Sequence, residues 1–200
     1  ITDPVYPSPA GSLIDSGFAN TLAGASDVDT FTIGASTYAI VAAFNDNGVQ
    51  IIDISDPVYP SPAGKLIDNG FATALAGASG VDTFTLTGTY AGTYAIVASK
   101  GDNAVQIIDV SNPYNIVAGG ALTDDIYSLV LQEPKGVDTF TVGSSTYAIV
   151  ASFGENGVQI IDVSNPENIS ATISLTDDLH YSLRMQGVSR RLRLVLAHMP

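Results

Sequence analysis

The stretch DPVYPSPAGSLIDSGFANTLAGASDVDTFTI, residues 3–33, recurs as DPVYPSPAGKLIDNGFATALAGASGVDTFTL, residues 56–86, with 25 of 31 positions identical. VDTFT opens at Val28, Val81 and Val137, so the spacing is 53 and then 56 residues. TYAIVA follows at Thr37, Thr93 and Thr146. The strings GVQIIDIS (48–55), AVQIIDVS (104–111) and GVQIIDVS (157–164) come next, each closed by Asp-Pro or Asn-Pro. The chain is three full copies of one unit and part of a fourth. A repeat of this length is a supersecondary unit that buries its apolar face only against its neighbours.

Each copy reads as four short strands. VDTFTIG (28–34) is β-branched and aromatic, and GAS (34–36) turns it back. TYAIVAAF (37–44) carries apolar residues on both faces, as a central strand covered on two sides does. NDNG (45–48) is a hairpin turn, with GDNA and GENG in its place in the later copies, because Asn-Gly supplies positive φ. The third strand ends before Pro57, Pro113 or Pro166, where a central ladder could not continue. A weaker fourth strand follows near Lys65–Asp68, Val117–Leu122 and Ala171–Leu175. No segment has a helical period, and the Gly and Ser of FATALAGAS favour a loop.

Four antiparallel strands every 53 residues predict an all-β protein of β-propeller blades. A β-sandwich does not account for a unit repeated this faithfully, and β-helix coils are usually shorter. On this reading residues 1–27 are the last strand of a preceding blade and its loop. Blades follow at 28–80, 81–136 and 137–189, and 190–200 is an aberrant tail. Four of the seven basic residues, Arg184, Arg190, Arg191 and Arg193, fall near that end. The tail is expected to be a truncated or frame-shifted start of a further blade, against the alternative of a genuine basic terminus. Three blades fall short of the 4 to 8 that close a propeller, so either a larger propeller or self-association through open blade edges is expected.

In the order strand, turn, strand, the pairing of TYAIVA with VQIIDIS or VQIIDVS before Asp-Pro or Asn-Pro resembles the LVIVD repeat over residues 1–178. The resemblance implies β-propellers of secreted and cell-surface proteins of bacteria and archaea, with binding, adhesion or surface structure as the role. It brings no catalytic motif, and it leaves the Ala/Gly-rich loop within PSPAGKLIDNGFATALAGAS (60–79) without a role.

Charge narrows the partners. Twenty acidic and seven basic side chains give −13, which argues against nucleic acid and anionic membrane surfaces. Cysteine is absent, which removes disulfides, thiolate catalysis and Cys-ligated zinc. No apolar run approaches a membrane-spanning helix.

The candidate site residues recur with the repeat. Asp53, Asp109 and Asp162 precede Ser55, Ser111 and Ser164, and then Asp56, Asn112 and Asn165. Side chains of this kind hydrogen-bond nearby backbone and set a turn before proline. The weak calcium candidates are Asp46, Asp102 and Glu155, each beside an Asn (47, 103, 156) in equivalent turns, because hard cations take oxygen ligands. Asp27 and Asp29, and the pairs Asp124/Asp125 and Asp177/Asp178, are further oxygen donors; none has EF-hand spacing. Of the 20 acidic residues 17 are Asp, which fits turn chemistry first. His180 and His198 make no metal triad, and Lys100, Glu133 and Lys135 read as solvated loop charges. Tyr38, Tyr94 and Tyr147 read as core with a wet hydroxyl, whereas Tyr6, Tyr59 and Tyr114 lie in loops where they could stack on a sugar or a peptide.

The expected function is a non-enzymatic extracellular or cell-surface module for protein interaction, adhesion or surface structure, with no cofactor and with a protein or glycan partner. The alternative is a carbohydrate- or calcium-binding module, and a hydrolase on a propeller scaffold ranks last.

Overall fold

The computed structural model describes residues 9–15, 20–68, 73–124 and 129–177. The tail 190–200, Tyr6, Asp125, Asp178, His180 and His198 lie outside the described residues. Twelve strands form three four-stranded antiparallel sheets, each a simple meander. Sheet I holds β1 (Ala25–Ile33), β2 (Ser36–Ala43), β3 (Gly48–Asp53) and β4 (Ser61–Ile67). Sheet II holds β5 (Ala78–Leu86), β6 (Gly92–Ser99), β7 (Ala104–Asp109) and β8 (Val117–Thr123). Sheet III holds β9 (Pro134–Val142), β10 (Ser145–Ser152), β11 (Gly157–Asp162) and β12 (Ser170–Thr176). The longer second copy accommodates one 3-10 turn, Gly88–Tyr90, between β5 and β6.

The first strands pack in series, β1 on β5 and β5 on β9, far more extensively than any fourth strand packs on its neighbour's. The sheets therefore fan outward from a common inner edge, as propeller blades do. Two differences from the sequence reading concern strand limits. The innermost strand starts at Ala25, three residues before VDTFT, and passes a bulge between Ala25 and Asp27. The fourth strand starts at Ser61, ahead of Lys65, and pairs Pro62 with Ile52. It is the outer edge of its sheet, the one place where a proline costs no ladder bond.

The apolar strings split between two faces. Sheet I turns Phe31, Tyr38, Ile40, Ala42, Val49 and Ile51 toward sheet II, which answers with Val81, Ala95, Val97, Ile108 and Val110. The arrangement repeats one sheet on, where Phe84, Tyr94, Ile96, Val105 and Ile107 meet Ala148, Val150, Ile161 and Val163. Burial on both faces is why TYAIVA is apolar throughout. The cross-strand aromatic pair recurs in all three sheets, Phe31 on Tyr38 at 5.6 Å, Phe84 on Tyr94 at 5.7 Å and Phe140 on Tyr147 at 5.6 Å between ring centroids.

The outer face of sheet I is partly covered from the N-terminal side. Ala39, Val41 and Ile52 pack with Leu13, Leu22 and Ile54. Residues 9–15 sit where the outer strand of a preceding sheet belongs: a Cβ on Gly11 would lie 2.6 Å from the Pro57 carbonyl, as one on Gly64 would lie 2.5 Å from the Pro113 carbonyl. Among the described residues no helix is long and apolar enough to cross a membrane.

Candidate functional site

The recurrent carboxylates hold backbone. At the end of each third strand Asp53, Asp109 and Asp162 accept the amide of Ser55, Ser111 and Ser164 at 2.9 Å. The serine hydroxyl in turn accepts the amide of Thr37, Thr93 or Thr146 at 3.0 Å, closing the end of strand two. Immediately after these serines, Asp56, Asn112 and Asn165 accept the amides of Val58, Tyr114 and Glu167, the Asx turn that the sequence indicates. The Ser55 amide and hydroxyl hold Asp53 below the usual carboxylate range.

The calcium candidates stand one per sheet, in the turn between the second and third strands. Asp46 accepts the amide of Ala23 at 2.9 Å, Asp102 that of Ala76 at 2.9 Å and Glu155 that of Gln132 at 3.1 Å. Each carboxylate ties down the loop that enters its sheet. Burial raises the Asp102 carboxyl, an effect that the Ala76 amide opposes. Among the described residues no three acidic or imidazole side chains converge as a metal site would require.

A residue that sequence reasoning passed over completes this clamp. Gln50, Gln106 and Gln159 of the VQIID string are buried, and their carboxamide oxygens accept the amides of Thr21, Ala74 and Val130 at 3.0, 3.0 and 3.1 Å. Their NH2 groups donate across the bulge to Gly64, Gly119 and Ile173 carbonyls on strand four. A polar residue repeated inside an apolar string was the available signal, because a buried carboxamide must be fully bonded.

Two sets of bonds join one sheet to the next. Asn47 and Asn103, at φ of 53° and 50°, accept the amides of Gly77 and Glu133 at 2.8 and 2.9 Å. On the inner edge Asp29 accepts the Thr83 amide at 2.8 Å and its hydroxyl at 2.5 Å, Asp82 accepts the Thr139 hydroxyl at 2.5 Å, and Asp27 accepts the Val81 amide. Asp82 is pushed up chiefly by burial, with the neighbouring Asp29 and Asp138 carboxylates adding to it and Thr139 opposing. The acidic residues of VDTFT therefore act as latches between blades.

The loop tyrosines are not equivalent. Tyr114 takes the place of Val58, packs edge-on against Tyr38 of the preceding sheet at 6.3 Å and donates to Asp53 at 3.2 Å. Tyr59 is one residue out of step and stands 78% exposed. Lys100 pairs with Glu133 at 3.2 Å, and Lys135, which lies on β9 rather than in a loop, sets its ammonium 3.8 Å from the Phe153 ring centre, so these charges also join neighbouring elements.

A cleft of about 550 Å³ opens on sheet III between Ser152, Asn156, Val158 and Leu175. It belongs to the face that sheets I and II bury against a successor.

A family model of the LVIVD repeat matches residues 36–66, 90–121 and 144–176. No curated protein matches the chain. Among solved structures it is similar to a functionally unknown protein from Desulfotomaculum acetoxidans, at 19% identity and a TM-score of 0.56, over 76% of this chain and 42% of that one. It is also similar to an exo-β-1,3-galactanase from Phanerochaete chrysosporium solved with β-1,3-galactotriose, at 13% identity and a TM-score of 0.51, over 78% of this chain and 39% of that one. The chain spans about two fifths of the length of both. At these identities the likeness is one of fold.

Proposed function

Because the chain is an LVIVD-repeat protein, we propose that it serves as a non-catalytic extracellular or cell-surface module for protein interaction, adhesion or surface structure. The observation that carries this reading is the employment of the recurrent carboxylates. Asp53, Asp109 and Asp162 accept backbone amides at the end of their own third strand, and Asp46, Asp102 and Glu155 accept amides of the loop that enters their sheet. A carboxylate so bound is poorly placed to transfer protons to a substrate, and what recurs in every blade maintains the blade. An acidic, cysteine-free surface rich in Ser and Thr fits an extracellular setting.

A second reading, carbohydrate binding, draws support from Tyr59, an aromatic ring exposed beside Val58 at the rim. The galactanase neighbour suggests the probe. Calorimetric titration with β-1,3-galactotriose, with a reducing-sugar assay run alongside, tests both the lectin and the hydrolase possibilities. The proposal expects neither heat of binding nor new reducing ends; saturable binding lost in Tyr59→Ala would replace it with the second reading, and released sugar would overturn it in favour of a hydrolase. Calcium is checked by melting the protein with and without the ion, since a ligand of the folded state raises the midpoint. The proposal expects no shift, and a saturable rise would move the assignment to a calcium-binding module.

A further inference from the structure

The repeat allows the three sheets to be compared face by face, and sheet III differs. Ile40 and Ile96 are fully buried, whereas their counterpart Ile149 is 36% exposed. Phe31 and Phe84 are 7% exposed, and Phe140 is 39%. The opposite end of the array has the complementary gap. Val81 is 4% exposed against sheet I, and its counterpart Val28 is 57%.

The polar latches run out at the same two places. Asn47 and Asn103 accept an amide from the sheet that follows, and their counterpart Asn156, which lines the cleft with the same left-handed backbone at φ 51°, meets no such donor among the described residues. Gly77 and Glu133 donate those amides, and their counterpart Gly24 is exposed at the head of sheet I. Asp29 and Asp82 accept from Thr83 and Thr139; Asp138 and Thr30, the next acceptor and the missing donor, are both exposed. Leu75 and Leu131 are fully buried in the two inter-sheet cores, and their counterpart Leu22 is only half-buried.

We infer that the face of sheet III left open by the described residues is a docking face for sheet I of a second copy of this chain, joined head to tail. Leu22 of the incoming copy enters the cleft of sheet III, Gly24 donates to Asn156, and Thr30 donates to Asp138. The occupant is a second copy because the same contact already occurs twice within the chain, and because each group left over at one end matches a group left over at the other. Two copies joined at both ends present six sheets, within the range that closes a propeller. The contact requires one exchange. Residues 9–15 of the incoming copy hold the seat at its Pro57 that β12 of the receiving copy takes, so they leave it on assembly. This inference stands apart from the functional reading above.

Sedimentation of the intact chain over a concentration series tests it. The expected result is a dimer of twice 20.7 kDa at high concentration. Ile149→Asp, on the sheet III face, and Leu22→Asp, on the sheet I side, should each give monomers with an unchanged β-sheet circular dichroism spectrum. Mixed together, these two variants retain one sound junction and should form a heterodimer. Leu13→Asp, which weakens the seat-holder, should lower the dimer dissociation constant about tenfold. A chain that stays monomeric overturns the proposal. A dimer that survives Leu22→Asp, or variants that fail to complement when mixed, also overturns it, since either points to a different surface. Asn156→Gly keeps the left-handed turn and removes only the carboxamide, so its expected weakening of the dimer tests the same junction if an aspartate variant does not fold.

Discussion

At the scale of single residues, the buried glutamines and Asp82 contribute to stability at neutral pH with opposite signs. Gln106 accepts the Ala74 amide and donates to the Ile107, Gly119 and Gly120 carbonyls. Gln106→Ala strands the Ala74 amide and the Gly119 carbonyl in the core, at about 1–3 kcal/mol for each group left unbonded. A loss of about 2–4 kcal/mol is expected in urea unfolding, well above that of a surface truncation. Asp82 acts the other way. Its carboxyl is raised by burial and by Asp29 and Asp138 on the neighbouring inner strands, so the folded state binds its proton more tightly than the unfolded state does. Stability from this group therefore falls as pH rises through and just above the ordinary carboxylate range. Asp82→Asn keeps an oxygen for the Thr139 hydroxyl and removes the charge. It should melt higher than the parent at pH 7, with the gap closing toward pH 4. A gap that widens on acidification would refute this account. Asp53 titrates with the reverse sign, because the Ser55 amide and hydroxyl lower its carboxyl; the stability it lends at neutral pH is lost as acid protonates it.

At the scale of elements, the turns between the second and third strands do two jobs. Asn47 and Asn103 adopt the left-handed conformation that ends the hairpin, and the same side chains reach the following sheet. Asn103→Ala should lose both the tolerance of positive φ and the bond to Glu133, costing about 1–3 kcal/mol. Asn103→Gly keeps the backbone conformation and should cost less, and chemical denaturation of the pair separates the two contributions. The edge strands followed a rule that was hard to read from their letters. Pro60 and Pro62 obscured the start of β4, although an outermost strand can carry proline on its unpaired side. The strands with two buried faces were plain in TYAIVA and VQIID, because continuous apolar letters leave few other readings.

At the scale of the whole molecule, the inter-sheet cores bind the three blades together. Ile96 lies fully buried between sheets II and III, and Ile96→Ala should cost about 2–5 kcal/mol by removing packed methyl groups and leaving a cavity. Ile149→Ala, at the corresponding position of the free face, should cost far less in the monomer. Thermal melts of the two variants make the comparison within one protein. The difference between them measures how much of a blade's stability comes from its successor, as expected when each repeat contacts only its neighbours.

The sequence by itself determined the unit. The spacing of VDTFT, TYAIVA and VQIID, with Asn-Gly turns and proline stops, specifies four antiparallel strands because side-chain alternation and turn chemistry are local properties. It also marked the carboxylates as turn formers, and the bonds of Asp53, Asp109 and Asp162 to the following serines are local in the same sense. Only the tertiary structure decided which face of each sheet meets the next, that Asp29 and Asp82 reach across to threonines of another blade, and that Gln50, Gln106 and Gln159 anchor the entry loops. Those partners are 29 to 57 residues apart in the chain. Identical letters in each copy could not say which copy a side chain would bond. Geometry settles that, because a fan of sheets brings each residue beside its neighbour's counterpart and leaves the last copy with the same groups exposed.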